Sequence, residues 1–190
     1  MKIKQLINRA YMQVGDTSHV NYTPYEFLEY YNEGNHILHW LISKYIPSMI
    51  AITETTTTDS SQISTGKPIS RIVSLTVGKN ESDAYTHGYE ANTLHIDEDI
   101  KPGTVITVEY VPTAGYKELD DESGYPAEIE SMLVHYMVTK MLKGDISFIG
   151  EWEDIIADMG NNYDGNGTGG MAFIGRGYWD NDSNRTDYTD

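Results

Sequence analysis

The sequence predicts an α+β protein with a helical body of about four helices, a small antiparallel β insertion and an extended C-terminal tail. In four stretches, apolar residues recur every three or four positions, which is typical of amphipathic helices. In the middle of the chain this period gives way to β-branched, alternating segments. We therefore assign 1–48 and 113–165 to the helical body, 49–112 to the β insertion and 166–190 to a flexible C-terminal arm.

The first predicted helix covers residues 2–14 and ends at Gly15, a residue type that commonly follows a helix. Its apolar positions are Ile3, Leu6, Ile7, Ala10, Tyr11 and Val14. The polar connection 16–22 then leads into the next helix. Because this connection is short, we expect the two helices to pack as an antiparallel hairpin.

The second helix is the best-defined element and the expected centre of the core. Thr23 and Glu26 have capping-box spacing, Pro24 suits the first helical position, and Pro47 cannot continue the helix. The helix should therefore have about 22 residues and a length of about 33 Å. Its apolar positions are Phe27, Leu28, Tyr31, Ile37, Leu38, Leu41, Ile42 and Tyr45. Gly34 lies among them at a cost of about 1 kcal/mol relative to alanine, which predicts close approach of another backbone.

Four strands are predicted in the insertion, at 52–59, 69–77, 92–96 and 104–112. The second of them alternates, with Ile69, Arg71, Val73, Leu75 and Val77 on one face. The last strand is entered through a Lys-Pro-Gly turn at 101–103. The intervening segments 60–68 and 78–91 are polar and are expected to be mobile loops.

Two further helices follow the acidic linker 118–125. The first begins near Pro126 and is closed by Gly144; the second is capped by Ser147 and ends at Gly160. Their apolar residues are Ile129, Met132, Leu133, Tyr136, Met137 and Met141 in the first, and Ile149, Trp152, Ile155, Ile156 and Met159 in the second.

The C-terminal arm follows a glycine-rich stretch and has neither helical nor strand periodicity. It nevertheless contains five large apolar or aromatic residues, namely Phe173, Ile174, Tyr178, Trp179 and Tyr188. Such a segment without a core of its own is typical of one that orders on a partner. The alternative is a terminus that folds back on its own subunit.

Composition narrows the function. The formal net charge of −16, from 13 basic and 29 acidic residues, disfavours sequence-specific nucleic-acid binding because phosphates are repelled. The absence of cysteine removes disulfides, thiolate metal sites and cysteine nucleophiles. No apolar run is long enough for a membrane span, and the N-terminal segment 1–14 is not a signal peptide.

Two patterns in the sequence resemble metal sites. Glu33 and His36 have the E-x-x-H spacing of di-iron bundles, with His39 one turn on, but Glu130 and His135 of the other long helix have the wrong spacing. The two histidines are therefore expected to be hydrogen-bonded or solvent-facing. A metal-dependent enzyme using Glu33, His36 and His39 remains a third hypothesis.

The second pattern resembles the start of an EF-hand loop, at Asn162, Asp164, Asn166 and Gly167. The position that should carry a bidentate glutamate is Phe173, so a linker is the favoured interpretation. Nucleophile-elbow, P-loop and G-x-G-x-x-G motifs are all missing from the sequence. We therefore predict a protein that is not an enzyme and has no cofactor.

The order of the elements resembles the head-to-tail adaptor (connector) family of tailed bacteriophages. The segments that carry the resemblance are Ala10-Tyr11, Gly15-Asp16-Thr17, 22–28, 31–33, 109–112, 125–128 and 133–136. The resemblance covers about residues 1–160 and depends on the order and spacing of these pieces.

This resemblance implies a homo-oligomeric ring, usually dodecameric, that docks on the portal protein and connects to a downstream tail or nozzle protein. DNA would pass through it non-specifically, and the protein would reside in the neck or tail of the virion after assembly in the host cytoplasm. In such rings a C-terminal segment reaches the portal. The five arm residues Phe173, Ile174, Tyr178, Trp179 and Tyr188 are therefore the expected portal or neighbour-subunit interface.

An acidic channel would let DNA slide rather than bind. The net charge therefore has two possible roles, in DNA passage and in ordinary solubility. The main alternative function is a tail or baseplate component. In that case the β insertion would bind carbohydrate through Tyr85, Tyr89 and the neighbouring polar loops.

Overall fold

The computed structural model describes residues 1–162 and confirms the α+β fold. The helices are α1 (Ile3–Val14), α2 (Pro24–Tyr45), α3 (Ala127–Met141) and α4 (Ile149–Asn162), with a short 3-10 turn at Pro47–Met49. The strands are β1 (Ile52–Thr58), β2 (Gln62–Ser64), β3 (Ile69–Val77), β4 (Asn80–Glu81), β5 (Tyr85–His87), β6 (Thr93–Ile96) and β7 (Thr104–Pro112). The helices thus lie on both sides of the strands in sequence, as predicted.

The ends of α2 follow the predicted signals. The Glu26 backbone N–H donates to Thr23 Oγ1 at 3.3 Å, and the Thr23 N–H donates to Glu26 Oε2 at 2.7 Å. Pro24 is the first helical residue, and the helix ends at Tyr45, two residues before Pro47. The predicted length of about 22 residues is therefore confirmed.

The helix α1 is anchored by the acidic linker as well as by α2. The Ile3 N–H donates to the Asp121 carbonyl at 3.0 Å, and Lys2 forms an isolated antiparallel bridge with Glu122. This pairing brings α1 onto α3, with which it makes more extensive contacts than with α2. The hairpin of α1 and α2 is thus a minor part of its packing.

All four helices contribute to one hydrophobic core. Trp152 of α4 is completely buried, with ring centroids 5.7 Å from Tyr136 and 5.6 Å from Phe148. Fully buried aliphatic residues include Leu6 of α1, Leu38 of α2 and Leu133 of α3. A second, separate core lies in the β insertion and contains Ile63, Ile69, Leu75, Leu94, Ile96, Ile106, Val108 and Tyr110.

Two glycine predictions need correction. A Cβ at Gly34 would lie 3.0 Å from Tyr136 Cδ1 and 3.2 Å from Leu133 Cδ2, so side chains of α3 rather than another backbone approach this position. Gly160 does not end α4, which continues to Asn162. A Cβ there would lie 2.8 Å from the Tyr45 carbonyl oxygen, so the close backbone approach occurs at Gly160 instead.

We expect Gly160→Ala to destabilise the protein although alanine is the better helix former. The methyl group would press on the Tyr45 carbonyl, and overpacking of this kind typically costs about 1–3 kcal/mol. Gly150→Ala in the same helix is the matched control, because nothing lies within 4 Å of its added Cβ. Urea unfolding of both variants checks this; equal or higher stability for Gly160→Ala would show that α4 does not pack this closely.

Closure of α3 also differs from the prediction. The helix ends at Met141, and the residue in the left-handed region is Lys143, with φ of 53°. Gly144 follows with its N–H donating to the Thr139 carbonyl at 2.8 Å. The predicted glycine therefore helps to satisfy the helix end, but it is not the residue that reverses the chain direction.

The β insertion contains two antiparallel sheets, one with the order β1-β7-β3-β4 and one with the order β2-β6-β5. The predicted strands 69–77 and 104–112 are confirmed at both ends, and 52–59 and 92–96 are each one residue shorter. The segments 60–68 and 78–91, which were expected to be mobile loops, contain β2, β4 and β5. These strands are only two or three residues long, too short to show a period.

Strict alternation in β3 is interrupted. The pairing of β3 with β7 shifts register between Ile69 and Arg71 and again between Ile72 and Ser74. Ile72 rather than the predicted Val73 therefore packs against the β core. Arg71 donates from Nη1 to the Ser43 carbonyl at 2.6 Å and so links the sheet to the last turn of α2.

Candidate functional site

An open groove of about 700 Å³ lies between the helical body and the β insertion and is here called the junction groove. Its walls come from five parts of the chain. These are α2, the segment 49–52, Lys67 and Pro68, the segment 112–117 and the segment 121–125. Both connections between body and insertion therefore border it.

Two buried asparagines of α2 hold one wall in place. Asn32 Nδ2 donates to the Lys117 carbonyl at 3.0 Å, and the Lys117 N–H returns a bond to Asn32 Oδ1 at 2.8 Å. One turn further on, Tyr125 OH donates to Asn35 Oδ1 at 2.9 Å. Asn32 and Asn35 lie on the buried side of an apolar helix, where an amide side chain indicates a hydrogen-bonded contact. The sequence contains this signal, but the predicted site residues do not include either asparagine.

The Asn35 side chain is only 2% exposed and borders the groove. Its Oδ1 accepts from Tyr125 OH, so the group that it can offer to a ligand in the groove is the Nδ2 donor.

His39 supplies the complementary group, one helical turn from Asn35. Its Nε2 lies 2.8 Å from the Pro112 carbonyl, which can only accept, so Nε2 carries the proton and Nδ1 is an acceptor. Burial lowers the pKa of His39, and the bond to Pro112 opposes this only in part, so the ring is neutral at pH 7. His39 is thus hydrogen-bonded, one of the two alternatives that the sequence predicted for it.

The Ser123 hydroxyl and the Glu130 carboxylate stabilise the fold. Ser123 Oγ donates to Glu130 Oε1, and the amino group of Met1 lies 2.8 Å from the same oxygen. Ser123 and Glu130 are both almost fully buried. The Ser123–Glu130 pair therefore ties the start of α1 to α3. His39 is bonded to Pro112 and takes no part in this pair.

The residues of the metal hypothesis are not brought together. Glu33 Oε1 pairs with Lys140 Nζ at 3.0 Å, His36 faces solvent, and His39 bonds to Pro112. Over the part of the chain that the structure describes, no three His, Asp or Glu side chains are close enough together to hold a metal ion. The EF-hand-like residues from Asp164 to Phe173 lie outside the described residues.

The five predicted interface residues of the arm also lie beyond residue 162, so they stay predictions. They are Phe173, Ile174, Tyr178, Trp179 and Tyr188.

The described surface offers exposed aromatic rings that the sequence pattern did not single out. Tyr25 and Trp40 lie on the outward side of α2 and are 68% and 59% exposed. They are about 22 Å apart along the helix axis at 1.5 Å per residue. Lys44 lies over the Trp40 ring at 5.4 Å and pairs with Glu153 at 2.7 Å. Residue type alone does not distinguish these rings from Tyr31, the buried tyrosine of the same helix.

The aromatic pair of the carbohydrate hypothesis is divided. Tyr85 pairs with Ile96 across the smaller sheet and is half-buried against the β core, whereas Tyr89 is fully exposed. Only one of the two rings is therefore free on both faces to stack on a sugar.

Asp16 organises the connection between α1 and α2. Its Oδ1 accepts from the Val20 N–H at 3.0 Å, and its Oδ2 accepts from those of Asn21 and Tyr22 at 2.9 and 3.1 Å. Burial raises the pKa of Asp16, but these donors and the Asn21 side chain outweigh it and hold the pKa below its usual value. The carboxylate thus acts as the centre of this loop.

We expect Asp16→Asn to lower the free energy of unfolding, because an amide oxygen replaces only one of the two acceptors. In the native protein the unfolded chain binds the Asp16 proton more readily than the folded one. The stabilisation is therefore complete above the unfolded pKa of about 3.9 and is lost as the pH falls through the lower folded pKa. Urea midpoints between pH 2 and 7 should show a smaller pH dependence for the variant; identical profiles would contradict this role.

No protein-family model matches this chain, and no curated protein matches it. None of the helices within residues 1–162 is long and apolar enough to span a lipid bilayer. The described residues form an α+β fold with two cores and the junction groove, and the full chain has a net negative charge.

Proposed function

We propose that this protein is a structural virion component, the head-to-tail adaptor of a tailed bacteriophage. Copies form a ring that docks on the portal protein, connects the capsid to a tail or nozzle protein and lines the DNA exit channel. The supporting observation is the element order, with two helices, a β insertion and two further helices. The segments that resemble this family fall at helix boundaries: Gly15-Asp16 follows α1, Thr23 caps α2 and Tyr125-Pro126 precedes α3.

The two linked cores suit a structural subunit that holds its neighbours in fixed positions and catalyses no reaction. The Arg71 bond to Ser43 links the sheet to α2 on one side. The Asn32 bonds to Lys117 link the return connection to the same helix. Body and insertion are therefore joined at separated points, as a wedge in a ring requires.

The net charge of −16 sets conditions on assembly. Copies repel one another at long range, so their contacts must be apolar or locally charge-paired. The exposed rings of Tyr25 and Trp40 and the apolar groups of the arm supply such surfaces. The same charge leaves DNA free to slide through the ring without binding tightly.

The proposal is tested by mixing the purified chain with the portal protein of the same phage and imaging the mixture by electron microscopy. We expect a closed ring of this chain on the portal, with portal alone as the control. A salt series separates electrostatic repulsion from lack of affinity, because repulsion is screened as salt rises. Absence of a ring at every salt concentration would refute the proposal.

A carbohydrate-binding tail component remains the second candidate because Tyr89 is fully exposed. Glycan-array binding that disappears in Tyr89→Ala would favour it over the adaptor. The matched control is Tyr116→Ala, an exposed tyrosine outside the β insertion.

A further inference from the structure

The junction groove has the chemistry of a peptide-binding site. Ile50, Ile52 and Pro68 contribute apolar surface, and Asn35 and His39 contribute one amide donor and one imidazole acceptor a helical turn apart. An extended polypeptide presents carbonyl and N–H groups with side chains between them, so it can satisfy all of these groups together. The volume of the groove, about 700 Å³, is in the usual range for ligand sites.

The last described turn of α4 packs against the end of α2. In this turn, an added Cβ at Gly160 would lie 2.8 Å from the Tyr45 carbonyl and 3.3 Å from Ile46 Cγ1. The turn that follows Ile46 leads directly to Met49 and Ile50, which border the groove. The end of the described chain therefore lies next to the part of α2 that runs into one groove wall.

The length of this remaining chain is sufficient. At about 3.3 Å per residue, the ten residues 163–172 can span up to about 33 Å before Phe173, the first of the five predicted interface residues. Four of these ten are glycine, and the large apolar or aromatic residues among them are Tyr163 and Met171. The lead-in can thus reach the groove of its own copy or that of a neighbour.

The groove and this part of the arm both carry charges of each sign. Asp121 and Glu122 border the groove, and Arg176 is the single basic residue of the segment Phe173–Trp179. Lys67 and Lys117 also border the groove, and the segment is followed by Asp180 and Asp182. We infer that the junction groove binds the segment Phe173–Trp179 of the C-terminal arm.

This inference deepens the proposed function but does not need a ring. When a neighbouring copy supplies the arm, the groove is a subunit contact; when the same copy supplies it, the arm closes its own groove.

The chain contains no cysteine, so thiol cross-linking can test the contact in the full-length protein. Ala114→Cys places a thiol at the groove and Ile174→Cys places one in the arm. We expect this pair to cross-link with about tenfold higher yield than a control pair, because docking raises the effective concentration of the thiols. The control combines Ile174→Cys with Val20→Cys, an exposed residue of the α1–α2 connection that does not border the groove.

A blocked groove gives the second arm of the experiment. Thr113 is exposed and borders the groove, so Thr113→Trp should fill it without touching either core and reduce the cross-link to the control yield. Thermal melting verifies that this variant stays folded. A yield equal to the control pair, or one unaffected by Thr113→Trp in a folded protein, would overturn the inference.

The same cysteine variants show whether the arm in a groove comes from the same copy or from a neighbouring one. Two cysteines in one chain report a contact within a copy, and mixing the two single-cysteine proteins reports a contact between copies. Either product supports the groove inference, whereas only the second supports a ring contact. Imaging on the portal decides the proposed function separately, so failure of one is distinguishable from failure of the other.

Discussion

Replacing Trp152 by alanine is expected to lower the free energy of unfolding by about 3–5 kcal/mol, the usual range for a fully buried tryptophan. Its ring packs against Tyr136 of α3 and Phe148 at the start of α4, so the cavity would open where α4 joins the body. Urea unfolding followed by far-UV circular dichroism measures the loss.

Trp40→Ala is the matched control, because the same atoms are removed from a side chain that is 59% exposed. We expect it to stay within about 0.5 kcal/mol of the unmutated protein. Trp152→Phe should cost less than Trp152→Ala, since the buried Trp152 Nε1 has no hydrogen-bond partner to lose. Equal effects of Trp152→Ala and Trp40→Ala would mean that α4 is not part of the core.

Deleting residues 170–190 is expected to leave a folded protein and to abolish docking on the portal. Every core residue that the structure describes lies within 1–162, so the deletion removes none of these. It does remove all five predicted interface residues of the arm. Circular dichroism and thermal melting report the fold, and electron microscopy of the mixture with the portal reports docking.

A full-length control separates the effect of losing the large side chains of the arm from the effect of shortening the chain. Replacing Phe173, Ile174, Tyr178, Trp179 and Tyr188 together by serine keeps the arm but removes its large side chains. We expect this variant to behave like the deletion. Unfolding of the deleted protein would show that the arm belongs to the core, and normal ring formation by either variant would refute its role in assembly.

Local signals predicted the elements that have their own start and stop chemistry. The Thr23 cap, Pro24, Gly15 and the apolar period placed α1 and α2 to within a residue, because capping and helical periodicity depend on neighbours in sequence. The strands 69–77 and 104–112 were likewise predicted at both ends, being long enough to show β-branched composition.

Predictions failed where the partner of a residue comes from elsewhere in the chain. Gly34 and Gly160 are equally permissive in sequence, but only the packing of α4 on α2 decides which one meets a backbone. In β3, pairing with β7 introduces the register shifts that turn Ile72 inward in place of Val73. Neither outcome follows from the local residue pattern.

The candidate site divides in the same way. The sequence predicted that His39 is hydrogen-bonded or solvent-facing, but it could not name the partner, because the Pro112 carbonyl is 73 positions away. Asn35, Lys67 and Tyr125 meet at one groove only because the chain leaves the body, forms the sheets and returns beside α2. The arm residues and the ring remain predictions from the sequence.

By itself, the sequence determined the α+β class, the limits of the longer elements and the strong negative charge, since these follow from composition and from contacts a few residues apart. The tertiary structure alone decided the junction groove, the polar links between α2 and the return connection, and which aromatic rings stay exposed. The physical reason is range: caps and periods act within one or two turns, whereas a groove depends on long-range contacts between segments that only folding brings together.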